Sequence, residues 1–490
     1  MNTRTVFRIF KQARWKHSSL KLYDGARVAV IGGGPAGSLF SYFILALSRR
    51  AGLDLQVDIY ETRDFETPGP PGCNMCGGVL YESLVQSLAV EGINLPATVV
   101  QRGIDYNMLH IGIGSVKIQT PRQEKRIATT FREVGPRGMV YLKGRRLDNY
   151  LMQSALAMGA RRIFGQVDQV RWLTDPKSPE VESRLIQVKT SGGEFHGYDL
   201  LAVASGVNTA VLRLFCDLDF GFQPPQTSKL LVREYYLGQE VVSKYLGSII
   251  HAFLLDIAGL DYGAVIPKGD YVTICLLSSH GNLEPGAMET FVDNPAVKRI
   301  LPADFSMARQ ACNCSPGINL AGSTHPFNNR IVFVGDCCVS RLYKDGIGSA
   351  YRTAKIAACT VVFQGISADF MKHYLPFLRR MEKDNLIRKM LFKSARQIQN
   401  RHFIERAVLK MVSREQQGKA NAEKGMSMLI RDMLTGGAPY IEALMLSMHP
   451  LFWTRFLWNI LLAIVFRPGS KYDPNLAVHT LTSDETESHS

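Results

Sequence analysis

The stretch 28–37 reads VAVIGGGPAG, so a short apolar run leads directly into a Gly-x-Gly-x-x-Gly spacing. This order predicts a strand, a tight turn and a helix start, with the third glycine packing close to the sheet. The free N–H groups at such a helix start attract a pyrophosphate. The residues that we predict to hold the phosphates of an adenine dinucleotide are Gly32, Gly34, Pro35, Ala36 and Gly37.

A second apolar run, Val57–Tyr60, ends on Glu61. A carboxylate at the end of the second strand of such a unit accepts a ribose hydroxyl and repels a 2′-phosphate. The two segments together favour a dinucleotide-binding domain. The alternative is a glycine-rich turn in an ordinary α/β domain.

Composition gives the chain of 490 residues a formal net charge of +14 and nine scattered cysteines. Its length accommodates one large core or several domains. The scattered cysteines, and a sequence in which we find no signal peptide, are typical of a reducing cytoplasm, which is the expected location. Basic residues concentrate in the first twenty positions and in 372–424, which fits an anionic membrane surface, nucleic acid or a solvated helix face.

The segment Leu451–Phe466 is almost continuously apolar, contains Trp453 and Trp458, and has Arg455 near its middle. It is shorter than the ~20 residues that a spanning helix needs. Aromatic residues and basic neighbours favour a helix that lies in the membrane interface. We therefore predict peripheral attachment to an anionic membrane and do not expect nucleic acid as a partner. A buried helix of a C-terminal domain is the alternative.

The order of motifs resembles that of the p-hydroxybenzoate-hydroxylase-like FAD enzymes. The stretch 198–209, YDLLAVASGVNT, is similar to the segment in which these enzymes carry Asp-Gly, and 330–336, RIVFVGD, is similar to their second FAD motif. The turn that follows that motif resembles 344–350, KDGIGSA. Within the superfamily, 73–78 (CNMCGG) and 262–267 (YGAVIP) resemble segments of the geranylgeranyl reductases.

This resemblance implies FAD as the cofactor, with Gly206 and Gly335 close to it. Asp336, at the end of a buried strand, is placed to accept a ribitol hydroxyl. Gly346 and Ile347 begin a helix whose N–H groups face the flavin pyrimidine and stabilise negative charge on the reduced ring. Arg145 is a candidate pyrophosphate contact, and an exposed surface arginine is the alternative.

The predicted fold class is α/β. We expect a Rossmann-like FAD-binding domain with a parallel sheet, an inserted antiparallel-sheet substrate domain and a C-terminal helical region. The expected boundaries are a basic extension (1–25), FAD-binding segments (26–95, 136–225 and 321–366), substrate-domain segments (96–135 and 226–320), a basic helical region with membrane contact (367–468) and a disordered tail (469–490).

Two positions depart from the pattern of the family. Ser205 stands where the hydroxylases carry Asp, a residue linked to nicotinamide use, so the electron donor stays open between NAD(P)H and a ferredoxin-like protein. Ala264 and Ile266 stand where the reductases carry Trp and Phe. A smaller aliphatic wall of this kind would admit a bulkier lipid.

Cys73 and Cys76 form a CxxC pair that is open to three interpretations: a thiol near the flavin, inert packing, or a metal or iron–sulfur ligand. No other cysteine pair has this spacing, so we predict no metal site. The resemblance places Cys76 beside the flavin. The catalytic candidates are Cys76 and Tyr262, although a tyrosine of the core is the alternative for the second.

The expected function is an FAD-dependent oxidoreductase that reduces a C=C bond of a prenyl-type or other hydrophobic lipid by hydride transfer from reduced flavin. Three alternatives remain at this stage. They are an FAD-dependent monooxygenase of an apolar or aromatic substrate, a nucleic-acid-modifying flavoprotein, and a non-catalytic FAD-binding membrane protein.

Overall fold

A computed structural model describes most of the chain. The described residues are 20–65, 67, 77–119, 127–132, 135–136, 146–173, 185–278, 283–307, 310–339, 345–399, 401–417, 425–435 and 438–465. The CxxC pair, Arg145, the basic N-terminal segment and the C-terminal tail lie outside these ranges.

The secondary structure is mixed. The strands, in chain order, are β1 (Arg27–Ile31), β2 (Gln56–Glu61), β3 (Val79–Tyr81), β4 (Arg102–Ile104), β5 (Tyr106–Ile111), β6 (Gly114–Gln119), β7 (Ile127–Thr129), β8 (Arg161–Phe164), β9 (Val167–Leu173), β10 (Leu185–Thr190), β11 (Phe195–Tyr198), β12 (Leu200–Val203), β13 (Thr227–Tyr236), β14 (Ile249–Leu254), β15 (Tyr262–Lys268), β16 (Tyr271–Leu277), β17 (Gln310–Cys314), β18 (Gly317–Asn319), β19 (Phe327–Asn328) and β20 (Ile331–Phe333). The α-helices are α1 (Pro35–Arg50), α2 (Glu82–Val90), α3 (Leu147–Ala157), α4 (Arg213–Cys216), α5 (Gln239–Tyr245), α6 (Ala287–Asp293), α7 (Pro295–Lys298), α8 (Gly346–Phe363), α9 (Ala368–Met371), α10 (Leu375–Gln399), α11 (His402–Gln417), α12 (Gly425–Thr435), α13 (Tyr440–Met448) and α14 (Pro450–Val465).

A six-stranded sheet in the order β19-β20-β12-β1-β2-β8 forms the first layer. Its strand pairs are parallel except for β19 with β20. The apolar runs of β1, β12 and β20 are buried, as expected for strands covered on both faces. Helices α1 and α8 pack against each other beside this sheet. The carboxyl ends of β1, β2, β12 and β20 therefore meet at one edge, where open α/β sheets bind their ligands.

A second large sheet follows the order β17-β13-β16-β15-β14-β5-β6, with β18 paired to β13. Its pairs are antiparallel except for β14 with β5. Its segments come from two separate parts of the chain that interrupt the first sheet, as the sequence predicts. Two three-stranded sheets, β11-β10-β9 and β3-β7-β4, complete the strands. The α/β fold class with parallel and antiparallel sheets and a C-terminal helical region is confirmed.

The C-terminal helices cover one face of the second sheet. Val408 and Leu409 of α11 and Leu429 and Leu434 of α12 join the apolar core on that face. Among the described residues, no single helix is long and apolar enough to cross a membrane. Helices α13 and α14 pass that test only as a pair, and a bend of 70° separates them.

Candidate active site

The turn between β1 and α1 can be built only with glycine at two positions. Gly32 has a φ of +102°, and a Cβ there would lie 2.6 Å from the carbonyl oxygen of Ala204. A Cβ on Gly37 would overlap the carbonyl oxygen of Gly32. Helix α1 starts at Pro35 with no acidic residue in its first turn. Its N-terminus therefore presents N–H groups and a positive dipole to the edge of the sheet.

Glu61 is buried beside this turn and is fully engaged by its neighbours. Its Oε2 accepts a hydrogen bond from the Gly33 N–H over 2.8 Å, and its Oε1 accepts from the Arg63 N–H over 2.9 Å and from Arg63 Nε over 3.0 Å. Burial raises the pKa of Glu61, but the hydrogen bonds and charge of Arg63 outweigh it, and the pKa is lowered overall. Glu61 is therefore ionised, and a ribose hydroxyl would have to replace one of the Arg63 donors.

The second predicted motif lies across the same edge. Gly335 has a φ of +73°, and a Cβ on it would lie 2.6 Å from the Cβ of Ala36, so this glycine lets the two motifs approach each other. Helix α8 begins at Gly346, directly after Asp345 in a left-handed conformation. Asp336, just after β20, and Ile347, in the first turn of α8, thus lie along the same edge as the start of α1.

A cavity of about 310 Å³ runs along this edge, between the two motifs. It reaches from Glu61 and Arg63 at the end of β2, past the start of α1, to Asp336 and the start of α8. The predicted cofactor residues that line it are Gly32, Gly34, Pro35, Ala36, Glu61, Gly206, Asp336, Gly346 and Ile347. Gly37 and Gly335 do not line the cavity. Because glycine has no side chain, these two positions allow the close packing described above.

A second cavity of about 210 Å³ lies on one face of the antiparallel sheet. Tyr262, Ala264 and Ile266 alternate along β15 and all line it, as do Cys275 of β16 and Leu434 of α12. Its wall is mainly apolar. Burial raises the pKa of Tyr262, so its hydroxyl stays protonated.

The two cavities meet. The residues that line both of them are Arg132, Asn208, Asp336, Gly346 and Ile347. A molecule in the apolar cavity would therefore contact whatever occupies the α8 end of the first cavity. This junction is the feature that a two-substrate reaction centre requires.

Sequence reasoning missed Arg132, which lines both cavities, and Asn319, which lines the apolar cavity beside the junction. Arg132 pairs with the buried Asp148 through Nε and Nη2, at 3.0 and 2.8 Å. Asn319 donates its amide to the Asp336 carbonyl, while its own buried Oδ1 has no hydrogen-bond partner among the described residues. Neither side chain belongs to a recognisable motif. In the sequence, Arg132 is only an isolated arginine between strands, and Asn319 is only an asparagine at the end of a strand.

Of the two catalytic candidates, Tyr262 lines the apolar cavity. Cys76 and Arg145 fall outside the described residues, so their roles stay predictions. The neighbouring Gly77 lines the apolar cavity, and a Cβ on it would lie 3.7 Å from Cys275 Sγ. Over the described ranges, no group of three or more His, Cys, Asp or Glu side chains is arranged to hold a metal ion.

Comparisons with known proteins identify the fold. No family model and no curated protein sequence matches the chain. A solved geranylgeranyl bacteriochlorophyll reductase-like protein from Thermoplasma acidophilum is similar with a TM-score of 0.57 and 15% identity, over 92% of this chain and 98% of that one. A flavoprotein/dehydrogenase from Cytophaga hutchinsonii gives a TM-score of 0.56 and 14% identity, over 90% and 98%.

Aklavinone-11 hydroxylase, solved as a ternary complex with FAD and aklavinone, is similar with a TM-score of 0.52 and 13% identity. The match covers 75% of this chain and 69% of the hydroxylase. Reductase-like and hydroxylase proteins thus share this architecture. The chain therefore has the Rossmann-like α/β fold that these solved proteins share.

Proposed function

We propose that this protein is an FAD-dependent oxidoreductase that reduces a C=C bond of a hydrophobic, prenyl-type lipid. The observation that carries the proposal is the junction at Asp336, Gly346 and Ile347, which line both a polar cavity along the dinucleotide edge and an apolar cavity.

The first cavity fits FAD. The start of α1 would hold the pyrophosphate, Glu61 would face the adenosine ribose, and Asp336 would face the ribitol. Ser205 lines this cavity, and its buried Oγ has no hydrogen-bond partner within the described part of the chain. Such a hydroxyl is costly unless a ligand satisfies it. The start of α8, at Gly346 and Ile347, would offer its N–H groups to the flavin ring.

When bound, FAD would supply a hydride to a carbon of the substrate. The protein would have to orient the substrate, exclude water and provide a proton. Ala264, Ile266 and Leu277 form an aliphatic wall that suits an apolar substrate and would help to exclude water. The Tyr262 hydroxyl, held protonated by burial, is the group of this wall that we assign as proton donor.

A monooxygenase reaction on an apolar or aromatic substrate is the second candidate, because the same architecture occurs in aklavinone-11 hydroxylase. The two reactions differ in product mass. Reduction adds two hydrogens to the substrate, whereas hydroxylation adds one oxygen and requires O₂.

The test is to purify the protein, record its flavin spectrum, photoreduce it without oxygen and mix it with a total lipid extract. We expect reoxidation of the flavin together with a lipid product that has gained two hydrogens. A product that has gained oxygen, formed only when air is admitted, would establish the monooxygenase instead. Flavin that no lipid reoxidises would indicate a non-catalytic flavoprotein, and protein purified without any flavin would refute the proposal.

A further inference from the structure

Helix α14 presents a broad apolar face that nothing in the described structure covers. Its buried side is narrow, consisting of Phe452, Asn459 and Ala463. Side chains three and four positions apart form one side of a helix. The large apolar side chains exposed on α14 are Leu451, Trp453, Leu457, Trp458, Leu461, Ile464 and Val465.

The preceding helix extends this surface. Ile441, Met445 and Met448 are exposed along α13, at helical spacing. We call the exposed apolar side chains of α13 and α14 the C-terminal apolar face. A patch of this extent is larger than the scattered apolar residues of ordinary surfaces and marks an interaction site.

The body of the protein holds α14 along its other side. Arg414 of α11 donates a hydrogen bond to Asn459 Oδ1 over 3.0 Å, and Phe452 packs in the core beneath the second sheet. A helix with one side fixed to a protein and the other side apolar can lie in a bilayer surface but is not surrounded by lipid.

Charge indicates what the face contacts. The sequence of α14 contains Arg455 and no acidic residue. On α11, Arg406, Lys410 and Arg414 follow each other at intervals of one helical turn, and Arg414 contacts α14. The acidic residues of α11, Glu405 and Glu415, are buried, and burial raises their pKa values. The surroundings of α14 are therefore mainly basic, with Glu442 in the first turn of α13 as an exposed acid, and this balance complements anionic lipid headgroups.

The C-terminal apolar face begins beside the apolar cavity of the antiparallel sheet, which we call the substrate cavity. Leu434 and Thr435 at the end of α12 line that cavity, and α13 starts a few residues later at Tyr440. The guanidinium of Arg388 donates a hydrogen bond to the Tyr440 hydroxyl. The pKa of the cavity residue Tyr81 is raised by burial and then by Asp345, with a smaller contribution from Tyr440.

We propose that the C-terminal apolar face docks this protein on an anionic lipid bilayer, with α14 lying in the interface and the start of α13 placing the substrate cavity next to the lipid. Trp453 and Trp458 would sit at headgroup level, where amphipathic rings are favoured. The docking itself does not depend on the proposed reaction; only the route by which a lipid substrate enters rests on it.

The test is vesicle flotation of the full chain with phosphatidylcholine alone and with phosphatidylcholine mixed with phosphatidylglycerol. We expect the protein to float with the anionic vesicles. Leu457→Glu should weaken that binding about tenfold or more, because it places a charge in the apolar face. Val90→Glu, at an even more exposed apolar position on α2, is the matched control and should bind like the wild type.

Arg455→Gln should weaken binding to anionic vesicles about fivefold, as expected from ~1 kcal/mol for one basic residue near the surface, and should not affect binding to neutral vesicles. Circular dichroism and flavin content of each variant would show that the fold is retained. A wild type that floats with neither vesicle overturns the proposal. A dimer that Leu457→Glu dissociates, in a protein that binds no vesicle, also overturns it. Salt-sensitive binding to RNA in place of vesicle binding does the same. None of these readouts uses turnover, so a failed flavin assay leaves this inference standing.

Discussion

Asn319 donates a side-chain hydrogen bond to the carbonyl oxygen of Asp336 over 2.6 Å. This bond joins the last strand of the antiparallel sheet to the second cofactor motif, at the point where the two cavities meet. Strand β18, which lines the apolar cavity, is thus hydrogen-bonded directly to the segment that would hold the flavin.

Asn319→Ala would remove this connection and leave the Asp336 carbonyl without that donor. We expect the dissociation constant for FAD to rise about tenfold, in line with the loss of one buried hydrogen bond. Flavin fluorescence during dialysis measures it. Asn313→Ala, at an exposed position of β17, is the matched control and should retain flavin like the wild type.

Gly37→Ala tests the packing of α1 against the turn. The added methyl group would overlap the Gly32 carbonyl oxygen, so the helix must shift away from the sheet. We expect a loss of about 2–3 kcal/mol in the free energy of unfolding, with loss of flavin. Gly103→Ala meets nothing within 4 Å and should change the unfolding free energy by less than ~0.5 kcal/mol. Equal urea midpoints for the two variants would contradict this view of the turn.

Arg63→Ala should make stability depend on pH in a defined direction. With Arg63 present, the pKa of Glu61 lies below its ordinary value, so Glu61 contributes stability above about pH 4.3 and loses it as the pH falls through the lowered pKa. Without the Arg63 side chain, Glu61 keeps the two backbone N–H donors of residues 33 and 63 but loses the side-chain hydrogen bonds and the charge that help to outweigh burial, so its pKa rises. We expect a deficit of about 2 kcal/mol at pH 7 that shrinks below about pH 4.3.

Urea unfolding of the wild type and of Arg63→Ala, each at pH 7 and at a pH below about 4.3, measures this deficit. The matched control is Arg171→Ala, because the Arg171 guanidinium stacks on Phe195 and donates to Gln187, which are neutral partners. Its effect should not vary with pH. An Arg63→Ala deficit that stayed constant down to acidic pH would show that Arg63 does not act through the ionised Glu61.

Tyr262→Phe removes only the hydroxyl from the wall of the substrate cavity. If this hydroxyl donates the proton, kcat for lipid reduction should fall about a hundredfold while flavin binding and flavin reduction stay unchanged. Tyr236→Phe, at an exposed position of β13, is the control. A kcat within about twofold of the wild type would remove Tyr262 from the reaction and leave it a structural residue of the cavity.

Much of the sheet edge along the first cavity is predictable, because the sequence signals of its turn and strand end are local. The glycine spacing at 32–37 and the acid at 61 lie within one strand–helix–strand unit, where backbone geometry dictates residue type. Arg132 and Asn319 carry no such signal. They come together with Asp336 only through the pairing of strands that are distant in sequence, and that pairing depends on tertiary packing.

The C-terminal helix shows a different limit. The run from Leu451 to Phe466 predicts a helix, but nearly every position is apolar, so the sequence does not reveal which side is buried. The packing against α11 selects Phe452 and Ala463 for the interior and leaves Leu457 and Leu461 outside. Which side faces the interior follows from partner helices and not from hydrophobic periodicity.

Leu434 and Thr435 give the substrate cavity a wall that belongs to neither sheet. The strands that shape the cofactor edge end far upstream of them in the chain. Substitutions in α12 can therefore alter which molecules fit, while the glycine turn and the second motif remain untouched. The part of the wall that α12 contributes is therefore encoded apart from the two glycine motifs, so evolution can change it while Asp336, Gly346 and Ile347, which line both cavities, are kept.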